Sequence, residues 1–183
     1  MAEKSNRSMH VGKVIWITGL SGSGKTTISE LIYKKVKSKN LSYVLLDGDK
    51  LRGILVDKND QKSYELSNRI ALGLKYAQLC KLISEQNINV IISTISLYNE
   101  VFQYLDKNVL NHYKIYLNFS NEILKKRNQK NLYSNFEERK AINVVGLDIV
   151  YDIPNADLTI NDELDGQIEK IAQLVIEKCE LTI

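Results

Sequence analysis

Near the start of the chain, the run Gly19-Leu20-Ser21-Gly22-Ser23-Gly24-Lys25-Thr26 has residue types and spacing suited to holding a chain of phosphates. It satisfies G-x-x-x-x-G-K-[ST] in full. Glycines let the backbone turn tightly enough to aim several N–H groups at one anion, and a helix starting at Lys25 adds its positive end at the same point. Ser21, Gly22, Ser23 and Thr27 belong to the same cradle. Lys25 is placed to reach the β- and γ-phosphates as a catalytic cation, and the Thr26 hydroxyl to hold Mg²⁺. A dinucleotide fingerprint fails here, because Thr27 stands where a third glycine would follow Gly22 and Gly24. The expected ligand is therefore a triphosphate, ATP, and not NAD.

A second set of reactive groups is Asp47-Gly48-Asp49. Two carboxylates two residues apart can both face a site if a strand has just ended. One then organises the Mg²⁺ shell and the other accepts the proton of an attacking hydroxyl.

The elements that must position these groups follow from apolar periodicity. Val14 to Thr18 reads as a buried strand, and Ile28, Leu31, Ile32 and Val36 mark a helix from Lys25 to Lys37. Tyr43 to Leu46, Val90 to Ile92, Tyr113 to Leu117 and Leu158 to Ile160 read as further strands. Helices are expected from Tyr64 to Ser84, with Leu66, Ile70, Leu74, Ala77 and Leu82 on one side, and from Asn99 to Leu110. Two more are expected from Asn121 to Arg127, with Ser120 as N-cap, and over Ile168 to Ile176. Strands alternating with helices predict an α/β fold with a five-stranded parallel sheet covered on both faces, a three-layer sandwich. Ligands gather at the carboxyl ends of such strands. Gln129 to Pro154 lacks clear periodicity and is the expected mobile lid.

At 183 residues, 44% of them hydrophobic, the chain suits one domain over 1–183. Residues 1–12 form a polar tail, and about 127–154 a lid and substrate loop. Cys80 and Cys179 read as core thiols in a reducing compartment, and no run approaches the about 18 apolar residues of a membrane span. A cytoplasmic protein is expected, away from membranes. The net charge of +3 suits an anionic small substrate and falls short of a nucleic-acid stripe. Its expected partner is a small-molecule nucleotide, and its expected assembly a homodimer.

The chain resembles the adenylylsulfate (APS) kinase family along nearly its whole length. The resemblance runs from Gly19 through Thr27, through Leu46-Asp47-Gly48-Asp49-Lys50-Leu51-Arg52, and through Ile95-Ser96-Leu97-Tyr98. It continues in Lys126-Arg127-Asn128-Gln129-Lys130-Asn131-Leu132-Tyr133, similar to that family's K-R-D-x-K-G-L-Y, and in Gly146-Leu147-Asp148 with Tyr151 and Pro154. It implies a P-loop NTPase-like fold with strand order 2-3-1-4-5 and a kinase phosphorylating a nucleotide 3′-hydroxyl. By the same resemblance Asp49 is the base, Asp47 joins Thr26 at the metal, and Arg52, Ser96 and Lys130 contact the substrate. Arg127 serves the ATP side of the lid.

The sequence also departs from the family. Where the family has a phenylalanine and then an arginine and an asparagine after D-G-D-x-x-R, Val56 to Ser67 offers no Phe and no Arg, and Ser63 and Leu66 stand as approximate counterparts of the Arg and Asn. Two arginines of S-P-Y-R-x-x-R have become Asn99 and Phe102, and the aromatic before G-I-D corresponds to Val144. The ATP machinery thus reads as intact, and the acceptor pocket as rebuilt without a purine clamp. APS remains one expected acceptor. Cytidine diphosphoramidate, phosphorylated by a relative within this broad family during polysaccharide modification, is the other. A regulatory GTPase is disfavoured because no N-K-x-D follows the loop. A non-catalytic nucleotide sensor and a kinase of a non-nucleotide alcohol are further alternatives.

Overall fold

The computed structural model describes residues 11–37, 42–57, 61–127, 131–140 and 142–181; Lys130 and most of the expected N-terminal tail lie outside them. The five strands are β1 (Val14–Gly19), β2 (Tyr43–Asp47), β3 (Asn89–Thr94), β4 (His112–Leu117) and β5 (Leu158–Ile160). They form one parallel sheet in the order β2-β3-β1-β4-β5, the order implied by the resemblance. Every residue of β1 is buried, as a central strand covered on both faces requires. Alternation then sorts its side chains. Ile15 and Ile17 enter one core with Ile28, Ile32, Val175 and Ile176, and Val14 and Trp16 enter the other with Tyr76, Ala77, Val101 and Leu105.

Helices α1 (Lys25–Val36) and α7 (Ile168–Lys178) pack together on the first face. On the other, α3 (Leu66–Ser84) packs against α4 (Asn99–Asn108). The result is a three-layer sandwich whose loops meet at the carboxyl edge of the sheet.

The expected apolar face of α3 is not the one that is most buried. Leu82 is 58% exposed, whereas Gly73, Ala77, Cys80 and Ser84 are buried. Small residues on that side let α3 approach its neighbours closely: a Cβ on Gly73 would lie 2.8 Å from Val101 Cγ2. Leu66, Ile70 and Leu74 are only partly buried at its border.

Two short helices were not legible as periodic segments. Helix α2 (Gly48–Leu55) begins at the acid pair, and α6 (Leu132–Glu137) lies in the stretch expected to be irregular; α5 (Asn121–Arg127) precedes it. Cys80 and Cys179 are free and buried, and burial raises both thiols well above their ordinary range.

Candidate active site

The site is built around the turn from β1 into α1. Gly19 closes β1 against β4, where a Cβ would lie 2.6 Å from the Leu117 carbonyl oxygen. Gly24 takes φ 90°, a left-handed conformation that glycine adopts without steric cost, and hands the chain to α1. Lys25 Nζ reaches back over this turn and donates to the Leu20 carbonyl at 2.8 Å. Its ammonium therefore lies over the bend that the backbone N–H groups surround.

Asp47 ends β2 and caps α2. Its Oδ1 accepts from the N–H groups of Asp49 at 3.0 Å and Lys50 at 3.1 Å. Its Oδ2 accepts from Thr26 Oγ1 at 2.9 Å and from Ser93 Oγ at 3.3 Å. Burial pushes this carboxyl up, but the Lys50 N–H, the Thr26 and Ser93 hydroxyls and the Asp49 N–H outweigh it and hold the group below the ordinary carboxylate range. Asp47 is therefore charged.

Gly48 lets β2 turn into α2 close beside β3, since a Cβ there would lie 2.9 Å from Thr94 Oγ1. Tyr76 Oη donates to its carbonyl at 2.8 Å, and burial drives that phenol up to about 12. Asp49 follows on the exposed first turn of α2.

A cavity of about 520 Å³ joins the loop to the acid pair and continues to a second wall. Lys25, Thr26, Asp47, Asp49, Arg52 and Ser96 all line it, so the structure brings together six residues selected from distant parts of the sequence. Ser96 Oγ lies 2.9 Å from Thr94 Oγ1. Lys130 falls outside the described residues.

The second wall contains residues that sequence reasoning missed. The guanidinium carbons of Arg52 and Arg69 lie 4.8 and 5.2 Å from the centre of the Tyr64 ring. Arg69 Nε donates to the Tyr64 carbonyl at 2.7 Å and Nη2 to the Asn143 carbonyl at 2.6 Å. Asp148 accepts from the N–H groups of Asn143 and Val144, shaping the turn that Arg69 grips. The wall thus has an aromatic, Tyr64, and a second cation, Arg69, that the sequence reading did not name, while Val144 lines the cavity where the family pattern has an aromatic. One signal could have found Arg69: a cation in the first turn of a long helix opposes the helix dipole, an arrangement that calls for another reason. Phe102, by contrast, is buried in the core, and Asn99 opens α4 with its N–H on Asp152 Oδ2 at 2.8 Å.

The far side of the loop is gripped as well. Arg127 Nη1 donates to the Gly22 carbonyl at 2.9 Å, and its guanidinium pairs with Asp165 and lies 4.6 Å from the centre of the Phe119 ring. Tyr133 Oη donates to the Ser21 carbonyl at 3.2 Å. Gly146 packs on Leu20, where a Cβ would lie 2.9 Å from Leu20 Cδ1.

Thr26, Asp47 and Ser93 form a set of hard oxygen atoms, which suits Mg²⁺ better than a thiophilic metal. Among the described residues no three His, Cys, Asp or Glu gather as a metal cluster.

The opening strand, the G-x-x-x-x-G-K-T turn with its helix, and the 2-3-1-4-5 parallel sheet define a P-loop kinase. Residues 11–161 match the family model for adenylylsulphate kinase, and the chain belongs to that family. Over 168 residues, 92% of this chain and 96% of the relative, it is 41% identical to the cytidine diphosphoramidate kinase of Campylobacter jejuni subsp. jejuni serotype O:2. It is 29% identical to a probable adenylyl-sulfate kinase of Pyrococcus abyssi, over 92% of this chain and 95% of that one. Among solved structures, the Mycobacterium tuberculosis APS kinase in complex with AMPPNP and APS superposes with a TM-score of 0.82 at 26% identity, covering 93% of this chain and 98% of that one. No helix among the described residues is long and apolar enough to cross a membrane.

Proposed function

We propose that this kinase transfers the γ-phosphoryl group of ATP to the 3′-hydroxyl of a nucleotide, with cytidine diphosphoramidate as the acceptor. The observation that carries the reading is the single cavity in which the phosphate loop, Asp47, Asp49 and the wall of Arg52 and Arg69 meet. The 3′-oxygen attacks the γ-phosphorus in line, the bond from that phosphorus to the bridging oxygen breaks, and ADP leaves. The hydroxyl proton passes to the exposed Asp49 carboxylate. Lys25 and the loop N–H groups stabilise charge on the transferring group, and Gly22, Ser23 and Thr27 complete the cradle. Thr26 and Asp47 would hold Mg²⁺, which when bound neutralises phosphate charge. Arg127 and the segment 131–154 act as a lid that excludes water, and Lys130 adds a further cation to the acceptor.

Two observations favour the cytidine compound over APS. Identity to the cytidine diphosphoramidate kinase is 41%, against 29% to the probable adenylyl-sulfate kinase. Val144 lines the cavity where the APS kinase pattern has an aromatic, and a pyrimidine needs a smaller clamp than a purine. The family match and the likeness to the APS-bound enzyme support APS as the second reading. We place the protein in the cytoplasm as a homodimer, an assembly that sedimentation velocity checks.

Screening settles the acceptor. With Mg·ATP, ADP release and a 3′-phosphorylated product are expected from cytidine diphosphoramidate. Faster turnover of APS would reverse the order of the two readings. Absence of ADP above background with any nucleotide would leave a non-catalytic module.

A further inference from the structure

Arg69 lies at the border between two parts of the site. It is half-buried, with its Nε and Nη2 committed to the carbonyls of Tyr64 and Asn143, so the guanidinium has one fixed orientation. Both of those partners are neutral. Among the described residues no carboxylate lies within ion-pair distance of Arg69, and a second guanidinium, Arg52, shares the Tyr64 ring with it. Burial, and Arg52 as well, work against the charge on Arg69, while Tyr98, Tyr64 and Asp148 offset them only in part.

The neighbouring Tyr98 adds to this imbalance. Its ring lines the same cavity, it is 3% exposed, and its O–H, beside the Arg69 guanidinium, finds no acceptor. Burial raises this phenol above its ordinary value, with Arg69 and Arg52 opposing, so it stays a neutral O–H donor at working pH. A half-buried guanidinium whose printed partners are neutral carbonyls, beside a buried hydroxyl, is costly unless something that accepts hydrogen bonds and carries negative charge completes it. Asp47 is committed to Thr26, Ser93 and the start of α2, next to the phosphate loop.

Resting on the nucleotide-kinase reading above, we propose that Arg69 is a specificity-determining residue, seated by Tyr64, Tyr98 and Asn143, that contacts the anionic 5′-arm of the acceptor. The shared chemistry is a phosphoryl-linked anion, whether the outer group is a phosphoramidate or a sulfate. Arg69 thereby supplies a cation from α3 where the family pattern takes its arginines from other positions. Its grip on Asn143 makes the turn 143–148 part of the same reading surface. That turn also packs on the phosphate loop through Gly146 and Leu20.

Calorimetry on the protein saturated with Mg·ADP tests this, with cytidine 5′-diphosphate and cytidine as probes. The wild type should bind the diphosphate at least about tenfold more tightly than cytidine, with the excess shrinking as ionic strength rises. Arg69→Lys keeps the charge but loses the fork. It should weaken the diphosphate about tenfold and leave cytidine within about twofold, because a charge-assisted fork is the contact removed. In turnover, KM for the acceptor should rise while kcat and KM for Mg·ATP hold. Tyr98→Phe should give a smaller change of the same pattern.

Equal loss for both probes, or a rise in KM for Mg·ATP alongside that for the acceptor, would reduce Arg69 to a packing role and overturn the assignment. So would a wild type that shows no preference for the diphosphate, whatever the variants do. Binding of nucleotides with an unchanged preference in Arg69→Lys would sink this assignment alone. A wild type that binds neither probe would remove the cytidine-nucleotide reading as well.

Discussion

The two edges of the sheet each hold a carboxylate, and the difference between them separates a site from a scaffold. At the carboxyl edge, Asp47 accepts from two backbone N–H groups and two hydroxyls, none of them charged. At the amino edge, Asp106 at the end of α4 accepts from Lys114 Nζ at 2.6 Å and from His112 Nε2 at 2.9 Å. Both carboxyls stand below their ordinary range. Burial raises each, and donors outweigh it, but at Asp106 the donors include the Lys114 ammonium. The charge of Asp106 is therefore spent inside the protein. Asp47 is oriented by neutral donors alone.

Variants that break this comparison should do so through different readouts. Lys25→Ala should have the largest effect, lowering turnover by about 10³-fold, since it removes the cation over the phosphate bend. The melting temperature should barely move. Rapid turnover in that variant would show that the bend is not where phosphate is handled. Asp49→Asn should lower kcat by at least about 10²-fold while Mg·ATP binding, read by calorimetry, persists. Near-normal turnover would remove Asp49 as the base.

The amino edge should answer the other way. Asp106→Asn strands a Lys114 side chain that is only 7% exposed, a change that costs about 3–5 kcal/mol when the pair is fully buried. Asp106 itself is 53% exposed, so solvent screens part of the pair and about 1–3 kcal/mol is expected, with kcat of the folded enzyme unchanged. Chemical denaturation reads the first quantity and steady-state kinetics the second. A loss of kcat without a loss of stability would erase the distinction between the edges.

The pH dependence sharpens it further. A carboxyl depressed in the folded state stabilises fully above its unfolded value, and the stability is lost as pH falls through the folded one. Stability should therefore decline only in acid, below the ordinary carboxylate range. The decline should be shallower in Asp106→Asn, which no longer has that proton to take up. An unchanged acid slope would mean that the pair adds nothing to stability.

Parts of the site were legible because their signals are local. The phosphate loop and the acid pair lie within short runs whose spacing carries the chemistry, and the strands announce themselves as short apolar runs. Helix α2 escaped notice because its first turn rests on the Asp47 side chain, which caps it from the end of the preceding strand. Of the expected face of α3, Ala77 is buried as read but Leu82 is exposed, because close packing there favours the small Gly73. Arg69 was missed for a different reason: its partner Asn143 is 74 residues away, and no pattern in either segment names the other.

By itself, then, the order of residues determined the parallel α/β architecture and the place where phosphate is handled, because backbone conformation and short-range spacing decide both. Which cations line the cavity, and which carboxylate is left without a cationic partner, were decided only when segments distant in sequence were packed against one another. Coulomb energy and desolvation depend on distances through space, and those exist only once the fold has formed.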